Sequence, residues 1–574
     1  MSPENQASTE TSGPQRRRPE NETHTVNNQP PPLVDYDVFT TDQALVEALA
    51  AFGGDSVQAN TSGLSKLGRM AGSFEVQQWA VDADTYEPVL RAHDRYGHRV
   101  DEVDFHPAWH ALMNEAVSAG LGGSAWASKD PSAHQVRAAG FMSWYQTEAG
   151  HGCPISMTYA AVPALRADPR VGQQWIPGLT SPTYDFGLRN PSEKAGLIAG
   201  MSMTEKQGGS DVRSNTTFAS PIFDEPGAYT LRGHKWFCSA PMSDLFLALA
   251  YAEGGLTCFV VPRVLPDGSR NVFEIQRLKD KLGNRSNASS EIEFSNTWAQ
   301  RLGDEGKGVR TIVEMVSATR LDCVLGSTAL MRKALAEAIW HTTHRAAFGK
   351  QLIDQPLMRH VLADLAIEVE AATWLSLRLA AATDHCVGHS PTTDAAQEAA
   401  LRRIALPMSK YFVCKRTPIA VGEAMECLGG VGYVEESGLP RLYREAPLNS
   451  IWEGSGNVNA LDLLRAISRS PESLDAWLQE VGAASGQDAN FDAAVTDVLN
   501  TLASDPDTMA GQARRLAERM ALLLQGSILV RNAPTPVADA FLSTRFGSQG
   551  GGRTFGVFDA DIDIDVLLDR AFPG

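Results

Sequence analysis

The sequence predicts an α+β protein in which a helical N-terminal domain, a central antiparallel β domain and a helical C-terminal domain are followed by an extra helical tail domain. Three observations predict it. Apolar residues keep a helical period over 40–190 and again over 306–470. Between those regions, residues 198–298 switch to period two. Strand formers gather there at Tyr229–Cys238, Leu245–Tyr251, Leu256–Pro262 and Glu291–Phe294, and turn signals such as Pro266-Asp267-Gly268 separate them. A chain of 574 residues is also too long for a single core. The divisions expected are a lead-in over 1–33, helices over 34–197, strands over 198–305, helices over 306–470 and a separate tail over 471–574.

Taken in order, residues 1–22 hold little to bury and read as disordered, with Arg16-Arg17-Arg18 in a solvated tail. Thr23 to Leu33 is a Pro-stiffened, extended segment. Asp42 is placed to cap a helix carrying Leu45, Leu49 and Ala50. His106 and His110 stand at i and i+4, a spacing that can chelate a metal. No Glu follows the first His and no third ligand is in view, so the pair reads as structural and no metal is expected. Glu148 to Ala161 holds a turn at Gly150–Pro154 and then an apolar run, which suits a pocket wall or plain core equally. Leu357, Val361, Leu365 and Val369 mark one helix face. His389–Thr393 breaks two long helices, Gly429–Gly432 interrupts the next, and Gly547–Gly552 breaks the tail.

Composition narrows the function. A net charge of −18 works against non-specific nucleic-acid binding. No apolar run approaches the roughly 20 residues that span a bilayer, and no secretory h-region is visible at the N-terminus. The seven cysteines are scattered, with no C-x-x-C, and read as reduced thiols in a cytoplasmic protein.

The stretch with most chemistry is Met201-Ser-Met-Thr-Glu-Lys-Gln-Gly-Gly-Ser-Asp-Val212. Met201, Met203 and Val212 are apolar enough to lie under something flat. Thr204 and Ser210 each offer a hydroxyl and a backbone N–H, and Gly208-Gly209 lets backbone approach a ligand closely. The set suits a flat, anionic cofactor, although G-x-G-x-x-G is absent. The turn alone also reads as an ordinary Gly-Gly connection between strands.

This stretch resembles the flavin-binding segment of the acyl-CoA dehydrogenases, V/M-T-E-P-x-x-G-S-D, with Lys206 in place of Pro. The resemblance implies that Met201, Met203, Thr204, Gly209 and Ser210 contact FAD. Gly233-His-Lys-Trp-Phe-Cys-Ser239 is similar to the family strand whose Trp covers a flavin face, implying Trp236, Phe237 and Cys238 at the ring. Cys238 stands where Thr or Ser is common, which weakens that bond or leaves it to the backbone. Lys279 to Ser289 resembles the family's closing turn of the β domain. Arg345-Ala-Ala-Phe-Gly-Lys-Gln-Leu352 with Gln355 resembles R-x-x-F-G-x-x-L…Q, in which the Arg binds the FAD pyrophosphate of a neighbouring subunit and the Phe348 position packs on the adenine end. A guanidinium suits a pyrophosphate because its planar fork gives paired, charge-assisted bonds.

Gly429-Gly430-Val-Gly-Tyr433 resembles Q-x-x-G-G-x-G-[FY], with Glu426 where Gln is usual. Ile451-Trp-Glu-Gly-Ser-Gly-Asn457 resembles I-Y-E-G-T-S-x-Q. Ser455 and Asn457 are thereby implied as FAD contacts and Glu453 as the catalytic base. Taking a proton α to a thioester needs a carboxylate of raised pKa, which apolar surroundings supply. Some branches carry that base just before an Arg on an earlier helix, where this chain has Thr319 before Arg320.

Met201–Thr217, Arg345–Arg359, Ala424–Tyr433 and Pro440–Arg465, together with Thr23–Leu33 and Phe105–His110, resemble one branch of the family, the flavoproteins of the adaptive response to DNA alkylation. The resemblance implies a homotetramer and leaves two readings open: α,β-dehydrogenation of a short or branched acyl-CoA, or a flavoprotein that binds double-stranded DNA and protects it from alkylation, with a weak or vestigial dehydrogenase site. Arg515 and Arg519 share a helix face with Arg514 beside them, which reads as a solvated face or, across four subunits, as part of a basic groove. Residues 471–574 carry seven arginines, no lysine and fifteen acidic residues, a net of −8, and a DNA surface should be basic.

Overall fold

The computed structural model describes residues 23–387, 394–548, 550, 554–559 and 561–574. The expectations for residues 1–22 and for the break at His389–Thr393, and half of the Gly547–Gly552 break, lie outside the described residues.

The first helix, Gln43–Gly53, starts where the Asp42 carboxylate accepts the Leu45 N–H at 3.1 Å, and it buries Ala44, Leu45, Ala48 and Leu49. Helices continue to Leu179 with one departure from expectation: a hairpin of β1 (Val89–His93) and β2 (Arg99–Asp104). Its outer strand buries nothing, so no alternation marks it in the sequence. Asp94 closes the turn by accepting the Tyr96 and His98 N–H groups, and Arg99 and Asp101 tie the pair to Ile275. Glycine 152 opens helix Gly152–Leu165, whose residues are almost all buried, so Pro154 falls in a first turn and not in a loop.

The histidine pair is structural. His106 caps helix Pro107–Ser118 by accepting the Ala108 N–H at 3.2 Å, and His110 meets the Tyr184 hydroxyl at 2.8 Å. No cluster of metal-binding side chains is found among the described residues.

The central sheet holds β3 (Ala199–Ser202), β4 (Phe218–Pro221), β5 (Ala228–Ser239), β6 (Leu245–Ala252), β7 (Gly255–Pro262), β8 (Glu274–Leu278) and β9 (Ser289–Leu302). The order is β3-β6-β4-β5-β9-β7, with β8 on β9, and a β6–β7 pairing closes the path into a ring. Most pairings are antiparallel as expected, but β3 and β4 each meet β6 in parallel. Neither reaches β6 through a hairpin, so direction is free to differ. Alternation along β6 divides its side chains. Leu245, Leu247 and Leu249 pack on the helices with Ala160 and Met315, while Phe246, Ala248 and Ala250 join Phe259, Val261 and Phe294 on the other face.

Three long helices follow, Gly308–His344, Pro356–Cys386 and Ala395–Cys427. On the second, Leu365 and Val369 are buried as expected, but Leu357 is 84% exposed. The tail does not stand apart: Trp477, Phe491, Leu523 and Phe541 belong to the same apolar cluster as Leu375, Leu401 and Ile404. The cysteines are free, and all but Cys386 are buried. No helix among the described residues is long and apolar enough to cross a membrane.

Candidate cofactor and active site

The loop after β3 is anchored by Glu205. Its carboxylate accepts from Lys235 at 2.8 Å and from the Thr216 and Thr217 N–H groups at 2.6 and 3.2 Å. Burial pushes its pKa up, but the Lys235 charge and these donors outweigh burial and hold it at about 2. Glu205 is therefore a tether. Beyond it, a Cβ on Gly209 would lie 2.6 Å from Thr204 Oγ1, so only glycine passes there. Neither the Thr204 nor the Ser210 hydroxyl has a partner among the described residues. Two idle hydroxyls beside a stripped backbone fit an anionic, hydrogen-bonding cofactor such as FAD.

Strand β5 is bulged at this point. Lys235 faces Ile292 and Cys238 faces Ser290, so Trp236 and Phe237 together oppose Glu291. The bulge frees the Trp236 N–H, which donates to the Thr204 carbonyl at 2.8 Å and joins the strand to the loop. The Trp236 ring is half-buried under the Lys279 ammonium, 3.6 Å from the ring centroid, and Lys279 is held by Glu291 at 2.8 Å. Phe237 is 48% exposed. Cys238 is turned away: its thiol is buried in the sheet and accepts from Ser202 Oγ at 2.9 Å, while its carbonyl is taken by Ser290. The expected side-chain bond from this position to the ring edge is thus not offered, because the residue after a bulge returns to the inward phase of the strand.

The second part of the site is the turn before helix Gly456–Arg469. Glu453 sits there at φ 56°, a left-handed conformation that strains a side-chain-bearing residue. Three consecutive carbonyls hold it. Lys410 donates to the Trp452 carbonyl at 2.6 Å and to the Gly454 carbonyl, and Arg320 Nε donates to the Glu453 carbonyl at 3.2 Å. The remaining Arg320 charge is met by Asp462 at 2.6 Å. With both cations engaged elsewhere, the Glu453 carboxylate accepts only from Thr319 Oγ1, at 2.7 Å, among the described residues. Burial raises its pKa, and the Thr319 bond and the Lys410 and Arg320 charges only partly offset that. Met201, Met203 and Trp452 pack on one apolar cluster with Met157 and Met315, which brings loop and turn to a common base.

Arg345 lies elsewhere, at the foot of a hairpin of Ala346–Ala347 and Lys350–Gln351. Phe348 and Gly349 form its two-residue tip at φ 52° and 80°. Left-handed backbone costs a bulky residue about 1–2 kcal/mol, and the result is a phenyl ring that is 99% exposed. Gln355 closes the hairpin by donating to the Ala347 carbonyl at 3.1 Å. No hydrogen bond among the described residues links this hairpin to Thr204, Trp236 or Glu453. Glu426, Gly429 and Gly430 are exposed, and Gly430 faces open space. Ser455 is the cap residue of helix Gly456–Arg469, and Asn457 accepts from Arg514 at 3.3 Å.

The tail arginines are largely engaged. Arg514 also bonds the Tyr411 hydroxyl, and Arg515 pairs with Asp497 at 2.7 Å. Arg531, Arg545 and Arg570 pair with Glu480, Asp364 and Glu370. Arg519 is half-buried and has no ion pair among the described residues.

Lys410 and the bulge were missed by sequence reasoning. A lysine inside the apolar run Ile404–Cys414 was the available signal for the first; a bulge leaves none.

Comparison with known proteins gives the relation. Residues 28–186 match the adaptive response protein AidB N-terminal domain, 200–297 the acyl-CoA dehydrogenase middle domain and 306–468 the acyl-CoA dehydrogenase C-terminal domain. The chain is 45% identical to AidB of Escherichia coli (strain K12) over 549 residues, 95% of this chain and 98% of that protein. It is 32% identical to acyl-CoA dehydrogenase family member 11 of Caenorhabditis elegans, over 73% of this chain and 68% of that protein. Caenorhabditis elegans ACDH-11, solved in complex with C11-CoA, superimposes with a TM-score of 0.82 at 25% identity, covering 96% and 93% of the two chains. A glutaryl-CoA dehydrogenase from Mycobacterium smegmatis in complex with FADH2 shares the fold, with a TM-score of 0.55 at 17% identity, covering 74% of this chain and 98% of that one. The chain therefore belongs to the acyl-CoA dehydrogenase family, in its AidB branch.

Proposed function

We propose that this chain is an FAD-dependent dehydrogenase of a short or branched acyl-CoA, with Glu453 as the base. One observation carries the reading: Glu453 is fixed by its backbone while its carboxyl is desolvated and left without a counter-ion. Such a group takes a proton α to a thioester carbonyl and holds it as a neutral acid. Thr319 serves both states, since its hydroxyl donates to the carboxylate and can accept from the acid while donating to the Met315 carbonyl at 3.2 Å. FAD, the cofactor of this family, would supply the acceptor for the β-hydride. Thr204, Ser210 and the Gly209 backbone would bind it along one edge, and Trp236 would cover a face. The exposed Phe348 and the Arg345 guanidinium support a homotetramer in which each hairpin reaches a neighbour's cofactor.

The test is an anaerobic titration of the purified protein with isovaleryl-CoA, following the oxidised flavin absorption. Bleaching in the wild type and none in Glu453→Gln is expected. A wild-type flavin that stays oxidised rejects isovaleryl-CoA as the substrate. The alternative, a DNA-protecting flavoprotein with a vestigial dehydrogenase site, draws support from Arg519 and from the charges that four subunits would bring together. Against it, Arg514 and Arg515 are bonded within the chain. A duplex affinity that falls steeply with salt would favour it.

A further inference from the structure

The lead-in segment has no role in the reading above, yet it is fastened to one of its parts. Asn28, at φ 53° in the left-handed region that Asn tolerates, presents its side-chain amide to the hairpin as a neighbouring strand would. Its Oδ1 accepts the Ala346 N–H at 2.8 Å and its Nδ2 donates to the Ala346 carbonyl at 2.8 Å. The Asn28 backbone carbonyl accepts from Arg345 itself, through Nη1. Three residues on, the Pro31 carbonyl accepts from Trp340 Nε1 at 2.8 Å, one helical turn before the hairpin. The Arg345 carbonyl is taken by the Leu352 N–H at 2.8 Å.

We propose that Asn28 is a positioning residue for Arg345: the lead-in is a clamp that orients the guanidinium toward the cofactor's pyrophosphate. This rests on the reading of Arg345 as a pyrophosphate ligand. A guanidinium carries five donors in a fixed plane, so a bond from Nη1 restrains that plane and leaves the Nη2 and Nε edge open for a bidentate contact. An unclamped arginine at an exposed hairpin foot would lose rotamer freedom on binding, which weakens affinity. Asn28 removes that loss beforehand and also sets the register of the hairpin base that carries Arg345.

The experiment measures FAD dissociation from the full-length holoprotein on dilution, by the recovery of free flavin fluorescence. Asn28→Gly keeps the left-handed backbone and removes the two amide bonds to Ala346 that hold the Asn28 carbonyl against Arg345. It is expected to raise the FAD Kd about fivefold to tenfold, the cost of ordering one freed side chain on binding. Arg345→Ala is expected to raise it further, by about 100-fold, as for loss of a charge-assisted pair. The double variant is expected to be no worse than Arg345→Ala, because Asn28 acts through that side chain. An unchanged Kd in Asn28→Gly, or additive effects in the double variant, overturns the proposal while leaving Arg345 as a ligand. Wild-type affinity in Arg345→Ala overturns both.

Discussion

Glu205, in the loop after β3, and Glu453, in the turn before helix Gly456–Arg469, both lose water on folding, yet they hold their protons oppositely. The difference is where the nearby cations bond. Lys235 is aimed at the Glu205 carboxylate itself, and two backbone N–H groups join it, so the carboxylate is fixed and its pKa falls to about 2. The Lys410 and Arg320 charges also act on Glu453, but these side chains bond the carbonyls of 452, 453 and 454. The carboxyl is left with a hydroxyl, and burial raises its pKa. A lysine on a carboxylate makes a tether, whereas a lysine on the backbone beneath a carboxylate leaves it fixed with a raised pKa.

The largest effect that separates the two is on chemistry. Glu453→Gln should slow flavin reduction by about 10²–10⁴-fold, the usual worth of a general base, with little change in stability, read by stopped-flow absorbance beside a melting curve. Lys235→Met should do the reverse. It leaves Glu205 buried without its counter-charge, a change worth about 3–5 kcal/mol, which a denaturant midpoint would show. Lys410→Met orphans the Trp452 and Gly454 carbonyls and should cost about 1–3 kcal/mol for each. Because the Lys410 charge lowers the Glu453 pKa, its loss should also move the acid limb of the kcat/KM profile to higher pH. Thr319→Val should give the smallest effect. Its hydroxyl favours the ionised carboxylate, so without it the pKa rises and the acid limb shifts upward. Rates well above the limb should stay near wild type. A limb that moves down in either variant would break the comparison.

A second buried carboxyl extends the same logic. Glu445 is held at about 8 by burial first and by the nearby Glu148 charge, and it accepts the Asn284 N–H at 2.6 Å. A carboxyl whose folded pKa exceeds its unfolded value binds more protons when folded, so its contribution is lost as pH climbs from about 4 to about 8. Glu445→Gln should flatten the stability profile over that range, measured by melting temperature against pH.

Much of this was legible in the chain because it is local. The Asp42 side chain bonds the N–H of Leu45, three residues on, and the short apolar run Leu245–Tyr251, bounded by turns, declares a strand. Thr204, Ser210 and Trp236 were singled out, and the structure joins the first and last by one backbone bond. The β1/β2 hairpin was not legible, because its outer strand is exposed and its hold is Ile275, more than 170 residues away. The inward turn of Cys238 was hidden for a related reason, since a bulge changes the phase of a strand without changing its composition.

The sequence by itself determined the order of helical and stranded regions, and its motifs carry the proposal of the cofactor contacts and of Glu453 as a base. These follow from period, side-chain type and short spacings, which a linear chain displays directly. Only the tertiary structure decided that the tail shares the helical core, that Lys410 bonds backbone rather than carboxylate, and that the Asn28 carbonyl meets Arg345. Each of these depends on which groups meet after distant segments pack, and on what remains for a charge to bond once water has left.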